Sequence, residues 1–407
     1  MQAFHIFALI FNIMKNLIYA LPMSLLIFSC GSSEETKSEK EVTTEPETGK
    51  EDVVSAEKVT YDTLLTASSQ LIAGLSPDHS AFASVISSDY YKIYSSFTSD
   101  AWKVSDSTML SPINKWCREN NVIDERDSLQ CFYPLSGPDF LFGNAFWPNA
   151  QKYIMLGLEP KGSLPDFTTF KEDEWKKYFE NMRGSMKYLN TRGYFVTAHM
   201  SSDFTKHRLN GMVHMMLYMM ARTNHKIIEV YYVKINADGT PEKTADIKSL
   251  PDGTITAIAI DFTDNDQSLK RTAYYFQIDA ADENMAAHPE FEKFIRTDKN
   301  RVAYMKSASC VLMNGNFNIM RQLVLSCDQI VQDDTGVPYH YFDASAFDIS
   351  LYGTYTSTIR DLSYCLQRDL VKALKESSYN KELPFRISYN GNYGEGMLLV
   401  AKKKKAQ

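Results

Sequence analysis

Apolar positions at helical spacing mark most of the chain. From Glu172 to Leu189, the residues Trp175, Tyr178, Phe179, Met182, Met186 and Leu189 share one stripe, and Thr169 with Glu172 has the spacing of a capping box at its start. Leu209, Met212, Val213, Met216, Leu217 and Met220 predict a second buried face over Leu209 to Arg222. Tyr61 to Trp102 predicts two helices parted by Ser76-Pro77-Asp78, and Pro112 to Asn121 a short one. Later helices are expected over Pro289 to Ile295, Val302 to Leu312, Phe317 to Asp328 and Arg360 to Lys375, the last repeating Leu362, Leu366, Leu370 and Leu374.

Alternating segments predict the strands. Ile227 to Ile235, Thr254 to Phe262 and Thr272 to Asp279 are rich in β-branched and aromatic residues and predict an antiparallel sheet packed on one face. A terminal hairpin is expected from Phe385-Ile387-Tyr389, the turn at Asn390-Gly391 and a return over Met397 to Ala401. Helices, strands, helices and strands in that order predict an α+β fold, an antiparallel sheet with flanking helices, rather than a doubly wound sheet.

The N-terminal region breaks the pattern. Residues 1–29 read as a signal peptide, with Lys15 ahead of an apolar run from Leu17 to Phe28 that is too short to span a bilayer. Met14 is the expected initiator. Ile27-Phe28-Ser29-Cys30-Gly31 resembles a lipobox, so Cys30 is the expected lipidation site and lipids on it the expected membrane anchor. Residues 30–58 carry nine acids and four bases beyond Cys30, hold no aromatic residue and are expected to form a disordered acidic tether. Glu34-Glu35 resembles the acidic export signal of some surface lipoproteins. The expected location is the outer membrane, on its periplasmic side or at the cell surface.

Composition then bounds the body, residues 59–407, as one large or two closely packed domains. The chain's net charge is −7, and the tether holds most of it. A nearly neutral body has no electrostatic footprint for nucleic acid. Five cysteines follow Cys30, and Cys117 with Cys131 is the first pairing to test. No cysteine or histidine group has zinc spacing, and GxxxxGK[ST], HExxH and GxSxG are absent. Gly391, Gly394 and Gly396 sit in the expected hairpin loop and open no helix, so no cofactor is expected.

Two segments hold the candidate chemistry. Asp139 at a helix start and Glu159 at a strand end could set two carboxylates over one cleft. The competing reading for Asp139 is capping, with Ser136 as N-cap and Asp139 as its N3 partner. Asp333, Asp334 and His340 could hold a divalent metal or activate water, yet neighbours on an extended chain point apart, and an Asx turn from Asp334 toward Gly336 competes. His199 with Ser201, Ser202 and Asp203 has the residue types of a triad, though a structural histidine competes, and Lys306 is a candidate perturbed base against the commoner lysine that snorkels to the surface. Met212, Met215, Met216, Met219 and Met220 around His214 suit soft copper or, more simply, core packing.

The runs YPLSGPDFL, GLEP, QDDTGVPYHYF and LYGTY resemble an uncharacterised family of bacterial exported proteins, over about Tyr133 to Ala401. The resemblance implies an exported body and transfers no catalytic residue. The expected function is a membrane-anchored envelope lipoprotein that binds an unknown protein or polymer ligand. The alternative is a hydrolase of an envelope or extracellular polymer that uses Asp139, Glu159, Asp333 and Asp334.

Overall fold

The computed structural model describes residues 58–195, 204, 208–377 and 382–404. The signal peptide, Cys30, the tether and the group His199, Ser201, Ser202 and Asp203 lie outside the described residues.

The chain is α+β, built on one ten-stranded mixed sheet. Its strands are β1 (Gln130–Tyr133), β2 (Lys152–Gly157), β3 (Lys226–Ile235), β4 (Pro241–Thr244), β5 (Thr256–Thr263), β6 (Arg271–Gln277), β7 (Arg301–Met305), β8 (Gln329–Gln332), β9 (Phe347–Gly353) and β10 (Met397–Lys403). They lie in the order β4-β3-β5-β6-β2-β1-β7-β8-β10-β9. The expected antiparallel pairing of β3, β5 and β6 holds at one margin, where β4 joins them, and β8, β10 and β9 also pair antiparallel at the other. The centre, β6-β2-β1-β7-β8, is parallel.

A parallel centre needs cover on both faces, and alternate side chains supply it. Cys131, Tyr133, Tyr153, Met155, Val302, Tyr304 and Val331 face one core, with the helices Phe140–Phe146, Glu172–Arg192 and Val213–Arg222. Phe132, Ile154, Leu156, Ala303, Met305 and Ile330 face the other, with Pro289–Arg296, Asn318–Leu325 and Arg368–Glu376. In chain order the parallel strands run outward from β1 through β2 to β6, then return to β7 and run outward through β8. The path therefore reverses between β1 and β7, which makes that gap a topological switch point.

Several local expectations are corrected. Val302 to Leu312 is not a helix: Val302-Ala303-Tyr304-Met305 is a buried run flanked by β1 and β8, so it is a strand. β10 has no partner at Phe385 to Tyr389; it lies between β8 and β9. The sheet at β5 is packed on both faces, because Ala257 and Ala259 meet the second core while Ile258, Ile260 and Phe262 meet the first. The box that opens Glu172–Arg192 is two residues later than expected, with the Lys171 N–H donating to Glu174 at 2.9 Å. After Ser76-Pro77-Asp78 the next long helix waits until Asp89–Ser105, capped by Ser88. The stretch Arg360 to Lys375 is divided, a 3-10 segment Arg360–Cys365 preceding the helix Arg368–Glu376.

Candidate functional site

The carboxyl ends of β1, β7 and β8 each run into a short polar turn, and the three turns hold one another. Asp139 ends the turn after β1 and is itself the N-cap of Phe140–Phe146, accepting from the Phe142 N–H at 3.2 Å. Capping therefore starts at Asp139 and not at Ser136, whose hydroxyl donates instead to the Gly137 carbonyl. The second Asp139 oxygen accepts from the Tyr133 hydroxyl at 2.9 Å and pairs with Lys306 Nζ at 3.0 Å. Both charged side chains are 3% exposed.

Lys306 follows β7 directly. Its ammonium also donates to the Gly193 carbonyl and lies 3.6 Å from the centroid of the Phe142 ring. Burial pulls the Lys306 pKa down, while Asp139 and Asp333 oppose that pull. It is a buried, paired lysine and does not snorkel.

Asp333 and Asp334 end β8 and divide two roles. Asp333 accepts from the Ser307 N–H at 2.7 Å and from the N–H and hydroxyl of Thr335 at 2.8 and 2.5 Å. The Asx turn thus springs from Asp333, one residue earlier than expected, because it is the Asp333 carboxylate that the Thr335 N–H and hydroxyl reach. Burial pushes the Asp333 carboxyl up, against the pull of those donors and of Lys306. Burial first, and the Asp333 charge second, push Asp334 well above the ordinary carboxylate range. His340 does not join them; it is exposed and lies 3.8 Å from Asp369.

Asp139, Lys306 and Asp333 therefore form one buried cluster between β1, β7 and β8. Beside it are two hydroxyls, those of Tyr304 and Ser307, that have no hydrogen-bond partner among the described residues. The Tyr304 ring is fully buried, edge-on to Tyr133 at 4.7 Å, and both Asp139 and Asp333 add to the burial that keeps it protonated. Four non-glycine residues here adopt positive φ: Leu135 after β1, and Ser307, Ser309 and Cys310 after β7. Such conformations persist only where surrounding contacts impose them, and they gather at functional sites.

Glu159 is held apart from this cluster, at the end of β2. Its backbone carbonyl accepts from the Tyr275 hydroxyl at 2.9 Å, and its carboxylate accepts from the Leu158 N–H at 3.2 Å. Gly157 and Gly137 explain the approach of the two loops. The Gly137 N–H donates to the Leu156 carbonyl at 2.9 Å, and a Cβ on Gly157 would sit 3.2 Å from the Gly137 Cα and 2.8 Å from the Glu159 carboxylate. Gly137 itself has φ +57° and is buried, yet no atom of the described residues lies within 4 Å of where its Cβ would be.

The copper reading is replaced by packing. Met212, Met215, Met216, Met219 and Met220 are all buried in the first core, and His214 is held by the Tyr178 hydroxyl at 2.8 Å. Burial pulls its pKa down to about 3, so it is a neutral core histidine. Among the described residues, no three or more His, Cys, Asp or Glu side chains form a group that could hold a metal, and no helix is long and apolar enough to cross a membrane. Cys117 and Cys131 are both buried and free.

Sequence reasoning found Asp139, Asp333 and Lys306 singly and missed that they converge. The missing step was the strand at Val302–Met305; with it, Lys306 becomes a strand-end residue like Asp333. No family model matches the chain, and no curated protein or solved structure matches it either.

Proposed function

We propose that the protein is a membrane-tethered envelope lipoprotein whose body binds a small hydroxylated ligand, of nucleoside or sugar type, at the carboxyl edge of β1, β2 and β7. The observation that carries this reading is the acid at the end of β2 beside a glycine turn at the end of β1. In open sheets with this strand order, ligands bind outside the carboxyl ends of the strands at the switch point, and an acid about 20 residues past the glycine turn takes a ribose hydroxyl pair. Gly137 and Glu159 have that relation in sequence and in space.

The turn also argues against a diphosphate. Phosphate sites at helix starts need free N–H groups and no competing anion. Here Pro138 has no N–H, and the Asp139 carboxylate already occupies the helix start. Lys306 is neutralised by Asp139. The favoured ligand is therefore neutral or cationic. Hydrolysis by paired carboxylates is disfavoured on the same geometry, since Asp139 and Asp333 are committed to internal donors and Glu159 is on a separate loop.

Calorimetric titration of the full chain with adenosine, an adenosyl sulfonium and ADP-ribose tests this. Binding of either of the first two, with ADP-ribose weaker, is expected. Glu159→Gln should weaken that binding by about 10- to 100-fold, the value of one charge-assisted hydrogen bond pair, with the unfolding midpoint unchanged. No binding by any of the three, or binding indifferent to Glu159→Gln, overturns the proposal.

A further inference from the structure

Polar side chains gather at the corner where β2 and β6 end and β5 begins. β5 runs antiparallel to β6, so Thr256, which opens β5, lies beside Gln277, which closes β6, one residue beyond the paired Ala257 and Phe276. By alternation both are on the side of Ile258 and Tyr275, toward the first core. Lys161 reaches this corner from the loop after β2 and donates to the Thr256 hydroxyl at 2.9 Å. Gln277 donates from its side-chain nitrogen to the Leu158 carbonyl at 3.2 Å. Glu159 follows Leu158 in the same loop, with its carbonyl bound by the Tyr275 hydroxyl. The loop itself is fixed: the Met212 and Val213 N–H groups donate to the Pro160 and Lys161 carbonyls at 2.9 and 3.1 Å.

Two groups here have capacity to spare. The Lys161 ammonium has one neutral partner, and no carboxylate pairs with it among the described residues. It is nevertheless half-buried, and burial pulls its pKa down. A neutral donor would hold Thr256 without drawing a charge out of water. The Gln277 carboxamide is exposed, and its oxygen accepts no hydrogen bond among the described residues.

We infer that this corner reads the base of a nucleoside and selects one that carries an amino group beside a ring nitrogen, as adenine does. The inference rests on the hydroxylated-ligand reading of the crevice and extends that ligand from Glu159 along the ends of β2 and β6. With the ribose hydroxyls on Glu159, the base lies over the next strand end. The Gln277 oxygen accepts from the amino group, and the Lys161 ammonium donates to the ring nitrogen. Adenine presents that donor and acceptor side by side, whereas a 6-keto purine presents two acceptors. A keto oxygen would meet the Gln277 oxygen, acceptor against acceptor. The amide cannot turn over to suit it, because its nitrogen is held by the Leu158 carbonyl. A sugar alone would leave both Lys161 and Gln277 unused, so the corner favours a nucleoside over a sugar.

Calorimetric titration of the full chain with adenosine, inosine and ribose tests the assignment. Adenosine should bind about tenfold tighter than inosine, the worth of one hydrogen bond made rather than opposed. Lys161→Met and Gln277→Leu should each weaken adenosine by about tenfold, and Gln277→Leu should also bring adenosine and inosine level. Glu159→Gln should weaken both nucleosides alike and leave their ratio unchanged, so the two readings fail separately. Equal affinity for adenosine and inosine, or adenosine no tighter than ribose, overturns the base reading and leaves the Glu159 site standing. Binding of none of the three overturns both. Should Lys161→Met or Gln277→Leu misfold, the wild-type ratio of adenosine to inosine still decides the matter.

Discussion

The two ends of the parallel strands treat charge in opposite ways. At the amino ends, Arg126 bridges Asp124 and Asp328 at 2.5 and 2.9 Å, with its side chain 43% exposed, and Lys152 pairs with Asp298 in a half-buried position. At the carboxyl ends, Asp139, Lys306, Asp333 and Asp334 are all buried. Solvated pairs cost little to form and contribute little, whereas buried charges must be matched by partners or they destabilise the fold. The amino end is sealed with inexpensive chemistry. The carboxyl end carries a costly arrangement that packing alone does not require, since apolar residues could fill the same volume.

The sharpest way to separate the ends is to remove one member of the buried pair. Lys306→Met leaves Asp139 buried with only Tyr133 and Phe142 as donors, and about 3–5 kcal/mol of stability should be lost. Urea unfolding measures it. Asp139→Asn should cost less, since the amide oxygen can still accept from the Phe142 N–H and Lys306 keeps the Gly193 carbonyl as a partner. The double variant should cost less than the sum of the singles, by about 0.5–3 kcal/mol of coupling. Additive costs would mean that the pair is not one unit.

A second test uses protons. Asp334 has its folded pKa raised by burial and by Asp333, above the ordinary value of 3.8. A raised acid binds its proton more tightly in the folded state, so its contribution is fully present below the unfolded pKa and is lost as pH rises toward the folded one. Stability should therefore fall above about pH 4, with a slope of at most about 1.4 kcal/mol per pH unit for this one proton. Asp334→Asn should remove that component. A wild-type curve identical to the variant's would show that Asp334 ionises normally.

These features were unevenly visible in the amino-acid sequence. Glu172–Arg192, Pro289–Arg296 and the strands β3, β5 and β6 followed from periodicity, because each has one chemical environment along its length. The central parallel strands did not: β1, β7 and β8 are four or five residues long and buried on both faces, so they show no alternation, and Val302 to Leu312 reads as a helix until its neighbours are known. Asp139 and Glu159 could be placed at element ends by their flanking prolines and glycines. That Asp139 meets Lys306, 167 positions along, is a property of strand order and is invisible to local spacing.

A smaller test lies in the β8 turn, at the carboxyl end itself. Gln332 folds back over Gly336, donating to the Val337 carbonyl at 2.7 Å and accepting from the Val337 N–H at 2.9 Å. A Cβ on Gly336 would lie 2.5 Å from the Gln332 side-chain oxygen. Gly336→Ala must displace that buried amide and should cost about 1–3 kcal/mol, the penalty for leaving buried polar groups unmatched. Gln332→Ala should abolish most of the difference between Gly and Ala at 336, and thermal unfolding of the four variants checks it.

The weakest effect is expected at the amino end, and its weakness is what the contrast requires. Arg126→Ala removes both ion pairs and the contact with Asn300 at 3.1 Å, three interactions at once. If interaction number governed stability, this variant would rival Lys306→Met. The physical argument says otherwise: the guanidinium returns to water on unfolding, and so do Asp124 and Asp328, whose side chains keep 10% and 35% exposure when folded. The loss should be within about 1 kcal/mol and should shrink further in high salt, where exposed charges are screened. The Lys306→Met loss should be nearly indifferent to salt, because no counter-ion reaches a pair that is 3% exposed on both sides. Parallel urea titrations at low and high salt would separate the two ends by salt response as well as by size, and equal salt dependence would mean that water reaches the carboxyl-end cluster after all.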